Sequence, residues 1–131
     1  MKEIKYKPIG IVHSPFKRTD NAPRQPAYGR DIEATVEIFP EYEEGLINIE
    51  KYSHIILICH FHKSNTKPLK VRPPMEDKLR GVFASRSPNR PNPIGLSIVR
   101  LDRVRGRILY IRDVDIIDNT PILDIKPYIP L

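Results

Sequence analysis

Asp31-Ile32-Glu33-Ala34-Thr35-Val36-Glu37-Ile38-Phe39 is the stretch that decides the fold class. Ile32, Ala34, Val36 and Ile38 alternate with Glu33, Thr35 and Glu37, a period of two that gives an extended strand one dry and one wet face. The same period recurs on both sides of it. Towards the N-terminus, Lys7 to His13 reads as a first strand, and Ser14 to Gly29, with Pro15, Pro23 and Pro26, reads as a long loop of the kind that often carries function. Towards the C-terminus, Glu41 to Tyr52 has the best helical composition, and Gly45 is expected to split it into two short turns. Ser53 to His62 contains Ile55-Ile56-Leu57-Ile58-Cys59, a β-branched apolar run suited to a central strand buried on both faces. Lys63 to Lys78 is polar and proline-bearing, an exposed loop, after which Gly81 to Ser85 reads as a strand. Ile94 to Val104 and Arg107 to Arg112 read as two strands turning at Arg105-Gly106, and Ile122 to Lys126 as a last strand after the Asp118-Asn119-Thr120-Pro121 turn. About seven short strands, fourteen prolines and little helix predict a mostly all-β chain, a single small closed or nearly closed β-barrel with short helical turns. No Gly-x-Gly-x-x-Gly follows a strand, so the fold is expected to be non-Rossmann.

The length of 131 residues suits one domain. No apolar run approaches the roughly 18 residues that span a bilayer. The N-terminal Met1-Lys2-Glu3-Ile4-Lys5-Tyr6-Lys7 is charged, with no apolar region behind it, so a cytoplasmic protein without membrane contact is expected. The single cysteine, Cys59, excludes an internal disulfide and reads as a small core residue. Twenty-two Lys and Arg against sixteen Asp and Glu leave a net charge of +6, which favours a polyanionic partner without identifying one.

The chemistry concentrates in Arg86-Ser87-Pro88-Asn89-Arg90-Pro91-Asn92-Pro93-Ile94-Gly95, set between two expected strands. Its three prolines fix their own φ and push Ser87, Arg90 and Asn92 towards extended backbone, so the loop is preorganised. It offers two guanidinium forks, two amides, and a glycine where backbone can approach a ligand. That combination suits a polar small molecule. A rigid surface connection or a Pro-x-x-Pro ligand, from Pro88 and Pro91, is the alternative. His60 and His62 form a His-x-His pair, but no cysteine or carboxylate pair completes a coordination set, and no metal is expected.

Gly81-Val82-Phe83-Ala84-Ser85 running into Arg86 to Ser97 resembles the signature of the TrmO (TsaA-like) family. Pro8-Ile9-Gly10-Ile11-Val12-His13-Ser14-Pro15-Phe16 is similar to that family's opening, and Asp118 to Tyr128 to its close, so the likeness runs through nearly the whole chain in order. Asn119 and Asp113 stand where the family usually has glycine, and the chain ends three residues past Tyr128, without the C-terminal extension of bacterial relatives. The resemblance implies an S-adenosylmethionine-dependent enzyme that methylates N6 of a threonylcarbamoyl-modified adenosine next to the tRNA anticodon, and that acts as a homodimer.

For the cofactor, the expected set is His60, Arg86, Ser87, Arg90, Gly95, Asp124 and Tyr128. The arginines would meet its carboxylate, Asp124 a cationic or hydroxyl group, and Tyr128 would stack or hydrogen-bond, with Asp124 and Tyr128 facing one pocket. For the transfer itself, Asn89, Asp124 and Tyr128 are the expected catalytic residues, supplying an acceptor for the amine proton and an aromatic surface. Asp124 as a turn cap and Tyr128 as a lid on the barrel end are the structural alternatives. Three other functions stay open: a cofactor-binding protein acting on a small adenine derivative, a sensor, and a noncatalytic RNA-binding barrel. The last would need exposed aromatics among cations, of which Tyr110 between Arg107 and Arg112 is a thin instance.

Overall fold

The computed structural model describes residues 1–17 and 30–130. Eight strands occur among them: β1 (Gly10–His13), β2 (Glu33–Ile38), β3 (His54–His60), β4 (Lys70–Val71), β5 (Arg80–Gly81), β6 (Ile94–Arg105), β7 (Ile108–Arg112) and β8 (Pro121–Pro127). Six of them close a barrel in the order β1-β2-β7-β6-β3-β8, every neighbour antiparallel, while β4 and β5 form a separate two-stranded ladder. The barrel is thus built from one strand fewer than expected. The ring closes through its shortest seam, Gly10 with Ile122 and Ile11 with Pro121.

The alternation at Glu33–Ile38 directs Ala34, Val36 and Ile38 into the interior, where they meet Val12, Ile55, Leu57, Val99, Leu109, Ile111 and Ile122. Burying each such side chain contributes roughly 1.5–3 kcal/mol. At the β6–β7 turn Gly106 adopts φ +60°, as the expected hairpin requires. Asp113 and Asn119 likewise hold left-handed backbone, φ 65° and 66°. That conformation is the one glycine adopts at least cost, and Asp and Asn are the side chains that tolerate it best.

Four sequence expectations change. The first strand begins at Gly10 rather than Lys7. Gly81 to Ser85 is not a barrel strand: Arg80–Gly81 pairs with Lys70–Val71, and Val82–Ala84 is a 3₁₀ turn closed by the Ser85 amide and hydroxyl, both donating to Val82 O (3.1 and 2.8 Å). Helical turns do fill Glu41 to Tyr52, but Pro40–Leu46 runs through Gly45 and the break falls at Asn48, φ 72°. Finally, β3 is buried on one face only. Ile55, Leu57 and Cys59 point inward, whereas Ile56 and Ile58 are half-buried on the outer wall, because a closed barrel with no covering layer has a single interior. Ile56 pairs with Ile98, Ile58 with Leu96, and His60 with Ile94, so an aliphatic patch lies on that wall, with Ile94 and Leu96 44% and 49% exposed. Most of the expected Ser14 to Gly29 loop lies outside the described residues.

Candidate functional site

Because the six barrel strands alternate in direction, β1, β3 and β7 end, and β2, β6 and β8 begin, at one mouth. Residues 14–17, 61–64, 86–93 and 113–120 meet there. The first and last of these are sewn together: Asp118 N–H donates to Phe16 O (2.6 Å) and Asn119 N–H to Val12 O (2.8 Å). The Asp118 carboxylate accepts from Ser14 N–H (2.9 Å) and Lys17 Nζ (2.7 Å). The Lys17 hydrogen bond, with that from Ser14, holds the Asp118 carboxyl below the usual carboxylate range.

The proline-rich loop is folded on itself by its own polar groups. Arg90 Nη1 donates to Ser85 O (3.0 Å) and Ser87 O (3.1 Å), which makes Arg90 a clamp within the loop. Ser87 Oγ accepts from Asn89 N–H (3.3 Å), and Asn89 Oδ1 accepts from Ser64 Oγ (3.1 Å), tying the loop to the segment that leaves β3. Arg86 is exposed and uses Nη2 on Leu96 O (2.6 Å), which leaves the rest of its fork turned to solvent at the rim. Gly95 lies under Phe61, and a Cβ there would overlap the ring at Cζ, Cε1 and Cε2. The ring, held by Phe61 N–H donating to Pro93 O (2.7 Å), is sufficient reason for glycine there.

Below this rim lies a group that the sequence reading missed. Asp115 accepts a 2.5 Å hydrogen bond from Ser97 Oγ, a buried residue of β6. Burial pushes the Asp115 carboxyl up, against the opposing effects of the Ser97 bond and the Arg86 charge. Cys59, fully enclosed, is pushed up to about 12 by burial and by Asp115, so it is a neutral core thiol. His62 Nδ1 is buried without a hydrogen-bond partner, and burial, Lys63 and His60 together lower its pKa.

His60 ends β3 at this mouth on the outer wall, paired with Ile94. Asp124 lies on the same wall opposite Ile58, with its side chain about half exposed (51%), bonded to Lys126 Nζ (3.0 Å) and accepting from its neighbour Ile125 N–H (2.9 Å). Tyr128 is at the other end of β3, its N–H donating to His54 O (3.1 Å) and its ring edge-on to His54 at 6.4 Å. His54 and His60 are six residues apart on β3, about 20 Å at the rise of an extended strand. Within one chain, then, Arg86, Ser87, Asn89, Arg90, Gly95 and His60 lie at this mouth, Asp124 sits opposite Ile58, two positions from His60, and Tyr128 is remote. Asp124 borders a depression of about 340 Å³ with Ile9, Tyr42 and Ile125, which Tyr128 does not line. Among the described residues no three His, Cys, Asp or Glu side chains cluster as a metal site.

The free part of the Arg86 fork is a donor and the Asp115 carboxylate near it an acceptor, a pair whose chemistry fits a zwitterionic ligand bearing both a carboxylate and cationic groups. Fold and site therefore define a closed, non-Rossmann β-barrel with a polar, loop-built mouth. The model of the tRNA-methyltransferase O N-terminal domain matches residues 11–131, and the chain belongs to that family. A probable S-adenosyl-L-methionine-binding protein of Pyrococcus abyssi is 60% identical over 127 residues, 97% of this chain and 69% of its own length. The tRNA (adenine(37)-N6)-methyltransferase of Mus musculus is 41% identical over 129 residues, 93% of this chain and 30% of its own. The crystal structure of TrmO from Pseudomonas aeruginosa superposes with a TM-score of 0.83 at 36% identity, covering 98% of this chain and 57% of that one. The chain thus spans little more than half of that structure and under a third of the mouse enzyme.

Proposed function

We propose that this chain binds S-adenosylmethionine at the loop-bearing mouth and methylates N6 of the adenosine next to the anticodon of tRNA, as a cytoplasmic homodimer. The observation that carries the reading is the stiff 86–95 loop, which presents a partly free guanidinium near the half-buried Asp115 carboxylate. When bound, the cofactor supplies an electrophilic methyl group on a positively charged sulfur. Arg86 would hold its carboxylate in a charge-assisted pair, and Asp115 would face its cationic groups. Ser87 and Arg90 keep the rim rigid so that alignment is set before substrate arrives. Asn89 Oδ1 retains a second lone pair beyond the one used by Ser64, an acceptor suited to an exocyclic amine proton.

His60, Asp124 and Tyr128 all occupy the outer wall of β3 and β8, around the aliphatic patch, rather than the barrel interior. A second copy seated on that wall would cover the patch and draw these three into an enclosed site, which supports the homodimer. The Pyrococcus abyssi protein is named for S-adenosylmethionine binding alone, which leaves room for a second reading, a cofactor-binding protein acting on a small adenine derivative or as a sensor. Incubation with labelled S-adenosylmethionine and unfractionated tRNA, with and without threonylcarbamoyl modification, separates the two. The proposal expects label at N6 of the adenosine beside the anticodon; cofactor binding without any labelled tRNA would replace it with the second reading.

A further inference from the structure

Residues 63–80 hold Lys63, Lys67, Lys70, Arg72, Lys78 and Arg80 against Glu76 and Asp77, so this short stretch carries four of the chain's six net positive charges. All six cations are exposed, and no residue of the stretch is buried. Its backbone forms the two-residue β4–β5 ladder, apart from the barrel, and a few isolated turn bonds. Arg80 is neutralised in place by Glu76 and bonds Ala84 O (3.1 Å). The other five face no acidic partner among the described residues. Ordering such a segment costs conformational entropy that core burial does not offset.

The arm is tied to the candidate site at its start and, at its middle, to the segment that leads into the loop. Ser64 bonds Asn89 of the loop (3.1 Å), and Val82 N–H, just before the loop, donates to Leu69 O (2.9 Å). A second cationic surface among the described residues is different. Along β6 and β7, Arg103 lies 4.2 Å over the Tyr110 ring, Arg112 pairs with Asp102 (2.7 Å), Arg100 with Asp31 (3.0 Å), and Arg107 donates to Ile38 O (2.8 Å). Those side chains are already used inside the fold.

From this contrast we infer that the 63–80 arm is a docking surface for the phosphate backbone of RNA, placing a polyanion directly beside the methyl-transfer mouth. Each phosphate neutralised releases condensed counterions, so the contact has a measurable salt signature. The inference rests on the tRNA reading above and names the surface that reading requires.

The test compares the parent with two triple variants of equal charge loss, K67Q/K70Q/K78Q on the arm and K2Q/K5Q/K7Q on the exposed N-terminal segment. Binding to a labelled anticodon stem-loop RNA is followed through a salt series, alongside the thermal shift produced by S-adenosylmethionine, which reports an intact fold and mouth. The arm variant should bind RNA roughly tenfold more weakly, with a log–log salt slope shallower by about 2, while the N-terminal variant stays near the parent and all three keep the thermal shift. Equal losses in both variants would assign the binding to net charge and overturn the arm. Undiminished binding by the arm variant, with the parent still methylating tRNA, would overturn the arm alone. A parent that binds phosphatidylserine vesicles and no RNA would make the arm a membrane surface and remove the tRNA reading with it.

Discussion

The two mouths of the barrel are made by the same six strands and differ in what they bury. At the lower mouth the 3₁₀ turns Pro40–Leu46 and Ile49–Lys51 cross the opening, Leu46 is buried in the core, and Tyr42 and Ile49 pack against it. At the upper mouth sit Ser14, Ser97 and Thr120, the three buried polar residues among those described, together with Asp115 and the unpartnered His62 nitrogen. One end closes the core, and the other keeps polar groups that a purely structural end would have replaced with aliphatic ones. The difference teaches that stability and chemistry are separated along the barrel axis, so substitutions at the two ends should be separable by measurement.

The largest effect should come from the lower half. Leu109→Ala empties a fully buried position and should cost about 3 kcal/mol in denaturant unfolding, with cofactor affinity of the folded fraction unchanged. A loss of affinity as large as the loss of stability would show that the two ends are not independent. At the upper mouth, Arg86→Ala should weaken S-adenosylmethionine binding roughly tenfold to a hundredfold in calorimetry, because its carboxylate would lose a charge-assisted partner. Its melting temperature should stay close to the parent's, since Arg86 is exposed.

Tyr128→Phe cuts across the comparison. It keeps the aromatic edge against His54 and removes only the hydroxyl, so stability and cofactor affinity should hold while methyl transfer slows roughly tenfold. Because Tyr128 is remote from the loop within one chain, that result would mean the far end of one copy serves the mouth of another. Full activity in the variant would confine the chemistry to a single mouth.

The smallest effect is a pH-dependent one at Asp115. Burial raises its folded pKa above the ordinary 3.8, so the folded chain holds this proton more tightly than the unfolded chain. The group's contribution to stability is therefore complete below that value and is lost as pH rises through the folded pKa. Asp115→Asn, which cannot titrate, should match the parent in acid and melt a few degrees higher at neutral pH. Equal melting differences at both pH values would show that Asp115 carries no burial penalty.

The barrel itself was legible because its strands obey period two: Glu33–Ile38, Ile94–Arg105 and Ile108–Arg112 each show it, and Gly106 marks the turn between the last two. The 86–95 loop was legible through its prolines. Asp115 was not, because Val114 and Ile116 are the buried partners of its alternation, so a period-two reading sends Asp115 to the surface. The left-handed turn at Asp113 breaks that regularity and lets the next carboxylate reach Ser97 across the mouth. Asp113 at a usual glycine position was the available signal. Gly81 to Ser85 misled for the opposite reason: its composition suits a strand, but its pairing is decided by Leu69 and Val71, which local sequence does not announce. Nor could pattern alone tell that Tyr128 and the loop fall at opposite ends of β3.

The short seam between β1 and β8 has a consequence for how the protein is made. It joins the first strand of the fold to the last, and Ser14 and Val12 complete their bonds only with Asp118, Thr120 and Asn119, more than a hundred residues later in the chain. During synthesis β2, β7 and β6 can pair as they emerge, but β1 must wait with one edge unpaired until the ribosome has released residues 121–127. The seam is therefore the last part of the ring to close, and a chain stalled before β8 would present that open edge to its neighbours.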